Sequence, residues 1–171
     1  YELQKNFPGC YSVMHEMKKT QHRGERLLEQ AEELANAFCT DQDYTQRSIA
    51  RIDGAWKDFA FTQFHDILAG TSVPSSYIST RHMQGRASII GEEEIVRLSR
   101  RYARSVLDGE DVQRLVTLNA SEQPFDGHIE CEPFIDFDDW RDRWFADEEG
   151  NPVPFQLITS EPNAGSMVHR A

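Results

Sequence analysis

Leu27, Leu28, Ala31, Leu34, Ala35 and Phe38 recur at intervals of three and four residues. That is the period at which side chains return to one face of an α-helix, so the spacing predicts an amphipathic helix over about 12–38. The polar run Thr40-Asp41-Gln42-Asp43 marks its end. A second apolar series, Ile49, Ile52, Trp56, Phe59, Ala60 and Ile67, predicts another helix. It should stop at Gly70, because glycine is a favoured C-terminal cap and Pro74 follows shortly. A third helix is expected from near Pro74, carrying Ile89, Ile90, Ile95, Leu98, Tyr102, Val106 and Leu107, with breaks or kinks at Gly85 and Gly91. Helices joined by short polar turns pack antiparallel, so residues 1–108 should form an antiparallel bundle of about three helices.

The pattern changes near Asp108-Gly109. Leu115-Val116-Thr117-Leu118 and the stretch from Val153 to Thr159 read as strands, and Asp147-Glu148-Glu149-Gly150-Asn151 as a hairpin loop between Trp144-Phe145 and Val153. About four short strands rarely close a sandwich, so residues 109–171 should be the beginning of an antiparallel β-sandwich, making the class α+β.

A chain of 171 residues can bury roughly 70% of its unfolded surface, enough for a true core. No apolar run approaches the ~18 residues of a membrane span, so no membrane partner is expected. The net charge of −11 is uneven: residues 1–106 hold 14 basic and 14 acidic side chains, residues 107–171 hold 4 and 15. An acidic half repels phosphates, which argues against nucleic acid and reads most simply as a solvated face. Cys10, Cys39 and Cys131 are odd in number and form no CxxC pair. With no charged and apolar leader ahead of Tyr1, a cytoplasmic protein is expected, and the missing initial Met points to an excised or processed piece. The oligomeric state is left open, a homo-oligomer included.

The least ordinary segment is Ala55 to Gly70. On a continuous helix Ile52, Trp56, Phe59, Ala60, Gln63 and Ile67 form one stripe, while Phe61, Phe64 and Leu68 form another on a different side. A helix end that is apolar on two sides needs two partners, and the second side, bordered by His65, implies a further body. His65 and Asp66 would then sit at the edge of a buried contact, where desolvation favours the neutral imidazole that binds metal. The plainer alternative has His65 capping the last helix carbonyls and Asp66 pairing with a nearby Arg or Lys. Zinc takes about four ligands. No other His, Cys or acidic residue stands at ligand spacing from His65, so any further ligands would lie outside this sequence.

Trp56 followed by Gln63-Phe64-His65-Asp66-Ile67-Leu68 and Gly70 closely resembles the N-Q-F-H-D-I-L-P-G stretch of glycoside hydrolase family 38, the α-mannosidases. Gly9-Cys10-Tyr11-Ser12 resembles the entry to that family's middle helical domain, and Leu115-Val116-Thr117-Leu118-Asn119 is similar to the opening of its β region. Thr62 stands where the family usually has Asn, Ala69 where it has Pro, and Ala120 follows Asn119 in place of Pro. The resemblance spans the chain in order and omits the family's N-terminal catalytic domain. It implies a retaining hydrolysis of α-mannosides, with the nucleophile, the acid/base carboxylate and a His-x-Asp pair of zinc ligands supplied by that domain. By position it implies His65 as a zinc ligand and Asp66 as a contact to sugar hydroxyls. It implies no catalytic residue in this chain, no activity from it alone, and a catalytic domain packed on the His65 side.

Other constellations are weaker. Asp136, Asp138, Asp139, Asp142 and Asp147 lack the order of an EF-hand. Phe134, Phe137, Trp140, Trp144 and Phe145 suit either a sugar-stacking platform or a β core. Lys18, Lys19, Arg23 and Arg26 interleave with Glu16, Glu25, Glu29 and Glu32, as intrahelical ion pairs would. No nucleotide-binding glycine motif and no Ser-His-Asp or Cys-His arrangement is visible. The competing class is a non-catalytic interaction or carbohydrate-binding module.

Overall fold

A computed structural model of the chain describes residues 9–10, 12–107, 113–131, 133 and 144–158. The chain divides into two units: residues 1–107 with 120–122, and residues 108–119 with 123–171.

The first unit contains α1 (His15–Phe38), α2 (Gln42–Thr62), a one-turn α3 (His65–Leu68) and α4 (Pro74–Val106). The expected bundle of about three helices is present as α1, α2 and α4, and their mutual orientation follows from which residues meet. Along α1 and α4 partner numbers rise together, with Gln21 bonded to Gln84 and Phe38 stacked on Tyr102. Along α2 they run oppositely: Asp41, just ahead of α2, bonds Arg101, Arg51 bonds Glu93, and Asp58 pairs with Arg86. The three helices therefore run up, down and up. α1 starts at His15 rather than near residue 12, because Met14 adopts a left-handed backbone with φ 53° and ends the preceding turn. Asp41 opens α2 by accepting the Tyr44 N–H at 3.1 Å, and Pro74 opens α4 at a position where its missing N–H costs nothing.

The main core joins Leu28, Ala31, Ile52, Ala55, Phe59 and Ala87, all fully buried, with Trp56 and Ile90 packed against it. A smaller core of Met17, Ile67 and Tyr77, with Met14 beside it, lies under α3. Contrary to expectation, α4 runs unbroken for 33 residues through Gly85 and Gly91. Gly91 serves close approach instead: a Cβ there would lie 3.0 Å from Leu27 Cβ and 3.3 Å from Leu28 Cδ2, so its bareness lets α4 settle on α1. Arg23 bonds Glu92 on α4 and the Lys18 ammonium bonds the Val13 carbonyl, so these basic residues of α1 look outward from their helix rather than pairing along it.

In the second unit β1 (Phe145–Ala146) pairs antiparallel with β2 (Pro152–Val153), Phe145 opposite Val153 and Ala146 opposite Pro152. The expected hairpin loop is present. Asp147 accepts the Asn151 N–H at 2.7 Å and its side-chain amide at 3.0 Å, while Gly150 turns at φ 86°. The Phe145 and Phe155 rings meet at 5.3 Å. Among the described residues the expected sandwich is not found beyond this two-stranded ribbon. Residues 115–118 carry no strand and Leu115 is exposed, since strand propensity yields a strand only where a neighbour takes up its backbone N–H and C=O groups. Tyr11, the aromatic-acidic stretch 134–140, Asp142 and Thr159 lie outside the described residues. No helix among the described residues is long and apolar enough to cross a membrane.

Candidate functional site

The segment singled out by sequence does not form one helix. α2 ends at Thr62, where the buried hydroxyl lies 2.9 Å from both its own Phe59 carbonyl and Gln21 Oε1 on α1. The Gln63 N–H still donates to the Phe59 carbonyl at 3.1 Å, but Phe64 turns extended with ψ 134° and the chain leaves the helix axis. His65 therefore opens α3 instead of closing α2. This overturns the continuous helix to Gly70 and with it the two-stripe wheel. Ala60 and Gln63 are exposed rather than buried, while Ile67 reaches the core from a separate turn.

His65 is 80% exposed at its side chain, its ring 4.2 Å from that of Phe64 and its Nε2 3.6 Å from Asp66 Oδ1. It caps no carbonyl of α2, and the desolvation expected around it is not supplied by the described residues. Asp66 is held more firmly. Its Oδ1 accepts the Thr71 hydroxyl at 3.2 Å, and its carbonyl accepts the N–H groups of Thr71 and Ser72 at 3.0 Å each and the Tyr77 hydroxyl at 3.4 Å. Among the described residues the basic side chain within 4 Å of its carboxylate is His65, not an Arg or Lys. Ala60, Phe61, Gln63, Phe64, His65 and Ile67 border an open depression of about 610 Å³. Phe61 is 66% and Phe64 51% exposed, so the apolar side beside His65 is uncovered.

Two segments far apart in sequence support this turn. Gly70 ends it at φ 82°, and a Cβ there would lie 2.3 Å from Val13 Cγ1, so the turn after Gly9 is seated directly on the turn after α3. From the other side, Gln63 Nε2 donates to Glu25 Oε1 at 2.6 Å, and Gln21 Nε2 donates to the same oxygen at 2.9 Å. Gln21 Oε1 in turn accepts from Thr62 Oγ1 and, at 2.8 Å, from the fully buried Gln84 Nε2. Glu25 thus bonds two amides in place of the expected intrahelical ion pairs, and Gln21 and Gln84 join the site without having stood among its candidates. A usable signal was present: Met17, Gln21, Gly24 and Leu28 fall on one helical face, so an amide interrupts the buried register.

The family model of the alpha mannosidase middle domain matches residues 5–104, well over half of the chain. The chain belongs to that family, a domain of glycoside hydrolase family 38. Comparisons with curated proteins and with solved structures give no match. The matched stretch of this alpha-mannosidase middle domain contains α1, α2, α3 and all but the last two residues of α4, with the turn before α1 and the whole of the His65-Asp66 turn. No group of three or more His, Cys, Asp and Glu side chains that could hold a metal ion occurs among the described residues. Within the domain the donor chemistry at α3 thus amounts to one outward imidazole beside one carboxylate, which fits a single ligand to a zinc site and no more.

Proposed function

We propose that this domain works within a zinc-dependent, retaining α-mannosidase, lending His65 to the metal and Asp66 to the sugar hydroxyls. The observation that carries the reading is the exposure of His65 on an uncovered apolar shelf, backed by an Asp66 whose carbonyl and carboxylate are both tied into the turn. An imidazole that merely completed the bundle would be packed or bonded inside it. The exposed Phe61 and Phe64 rings give the catalytic domain its seat, and its arrival supplies the desolvation that the described residues do not.

The nucleophile and the acid/base carboxylate come from that partner domain, so this chain alone is silent. When bound, zinc supplies a Lewis-acidic centre for vicinal sugar hydroxyls, which helps hold a ring distorted toward the transition state. Asp66 contributes an acceptor for a sugar hydroxyl, with Thr71 fixing its rotamer. The ribbon of β1 and β2 belongs to the opening of the enzyme's β region.

The test is metal content and mannosidase activity of the full-length enzyme with His65→Ala and with Asp66→Asn. His65→Ala should lose zinc and activity together, whereas Asp66→Asn should keep zinc and raise KM. Zinc occupancy unchanged in His65→Ala removes His65 from the site.

A further inference from the structure

We propose that Glu25 is a positioning residue for His65, acting through Gln63. The inference rests on the reading of His65 as a metal ligand and extends it to residues outside the motif.

α3 is one turn long, and its N-terminal Phe64 has no side-chain cap bond, so little within the turn fixes where it starts. Phe64 and His65 are too exposed for packing to do so. Ile67 anchors the far side of the turn in the small core, with the Ile67 and Leu68 N–H groups bonded to the Phe64 carbonyl at 2.9 and 3.2 Å. On the near side the Gln63 N–H still reaches the Phe59 carbonyl at 3.1 Å and the Phe64 N–H the Phe61 carbonyl at 3.4 Å, and the side-chain anchor is the Gln63 amide on Glu25. Glu25 Oε1 collects two amide donors, and bonds to an ionised acceptor are shorter and roughly twice as strong as neutral ones. Behind it, Gln21 Oε1 accepts from Gln84 and shares the Thr62 hydroxyl proton with the Phe59 carbonyl, which ties the same carboxylate to the end of α2 and to α4. The two-residue step from Thr62 to His65 is thus clamped to α1 before any ligand arrives. Groups hydrogen-bonded directly to a metal-ligating histidine typically contribute 10- to 100-fold in metal affinity, and Glu25 stands one step further back, so the lower end of that range is expected.

Two measurements test this. In the 171-residue chain, amide hydrogen exchange is compared for Glu25→Ala, Gln63→Leu and the conservative Glu25→Gln, which keeps an acceptor oxygen. Exchange at Ile67 and Leu68 should quicken by about 10-fold or more in the first two variants and revert in the third, while Leu98 in α4 stays protected and reports an intact bundle. In the full-length enzyme, zinc titration should give about a 10-fold weaker Kd for Glu25→Ala and Gln63→Leu, again rescued by Glu25→Gln. Unchanged exchange at Ile67 and Leu68 overturns the positioning role whatever the zinc result. Quickened exchange with an unmoved zinc Kd also overturns it, since the loosened turn then does not reach the metal. A zinc Kd that His65→Ala itself fails to change sinks the underlying metal reading and leaves the exchange result standing.

Discussion

The ring of Phe59 fills the space that a side chain at Gly24 would need: a Cβ built on Gly24 lies 1.9 Å from Phe59 Cζ. Phe59 is fully buried at the centre of the main core, so the ring cannot swing away without opening a void. Gly24→Ala should destabilise the helical unit by about 1–3 kcal/mol despite the better helix propensity of alanine. Gly85, also mid-helix, has nothing within 4 Å, and Gly85→Ala should stabilise by up to about 1 kcal/mol. Urea unfolding followed by far-UV circular dichroism reads both signs; matching signs would refute the packing account.

Glu94 is 1% exposed, with Oε1 2.5 Å from Arg51 Nη1 and 3.5 Å from Arg97 Nη1. Removing its nearer cation leaves a buried carboxylate poorly paired, so Arg51→Ala should cost about 3 kcal/mol. Arg23 and Glu92 are both well exposed, and Arg23→Ala should cost less than about 1 kcal/mol. Chemical denaturation of the two variants separates the cases.

Gly70 combines a φ of 82° with the Val13 contact. A left-handed backbone costs a non-glycine residue roughly 1–2 kcal/mol, and the clash adds to it. Gly70→Ala should therefore destabilise the unit, and Val13→Ala should recover only part of the steric cost and none of the backbone cost, because the Val13 Cβ itself would still lie 2.9 Å away. A double-mutant cycle measures the split; full additivity of the two substitutions would show that they do not meet.

The Asn151 side-chain amide, with its backbone N–H, holds the Asp147 carboxyl below the usual carboxylate range. Its folded pKa is thus the lower one. The hairpin gains from this group above the ordinary aspartate value, and the gain disappears as pH falls through the depressed value. An NMR titration of the Asp147 carboxyl carbon should show a pKa below ~3.9, and Asn151→Ala should move it up toward that value.

Phe61 is as aromatic as Phe59 but faces outward. Phe61→Ser should change the stability of this chain by no more than about 0.5 kcal/mol. On the proposal that Phe61 seats the catalytic domain, the same substitution in the full-length enzyme should lower thermal stability, read by calorimetry.

Much of the bundle was legible because helix-forming information is local. The end of α1 at Phe38, the polar cap at Asp41 and the start of α4 at Pro74 depend on residues within a turn of each boundary. Gly85 and Gly91 misled for the opposite reason: a lone glycine lowers helix propensity by about 1 kcal/mol, less than a packed helix of 33 residues gains from its neighbours. Leu115 to Leu118 had the composition of a strand but, among the described residues, no neighbour pairs with it as one.

The sequence by itself determined the family, the three long helices and the His65-Asp66 pair, since periodicity, caps and a contiguous motif are written within short windows. Only the tertiary structure decided that α2 stops at Thr62 and that His65 stands outward at the head of a separate turn. Those outcomes hang on bonds from Thr62 to Gln21 and from Gln63 to Glu25, across 41 and 38 residues of chain. Hydrogen bonds between residues so far apart form only once α1 has packed against α2, and no local pattern encodes that event.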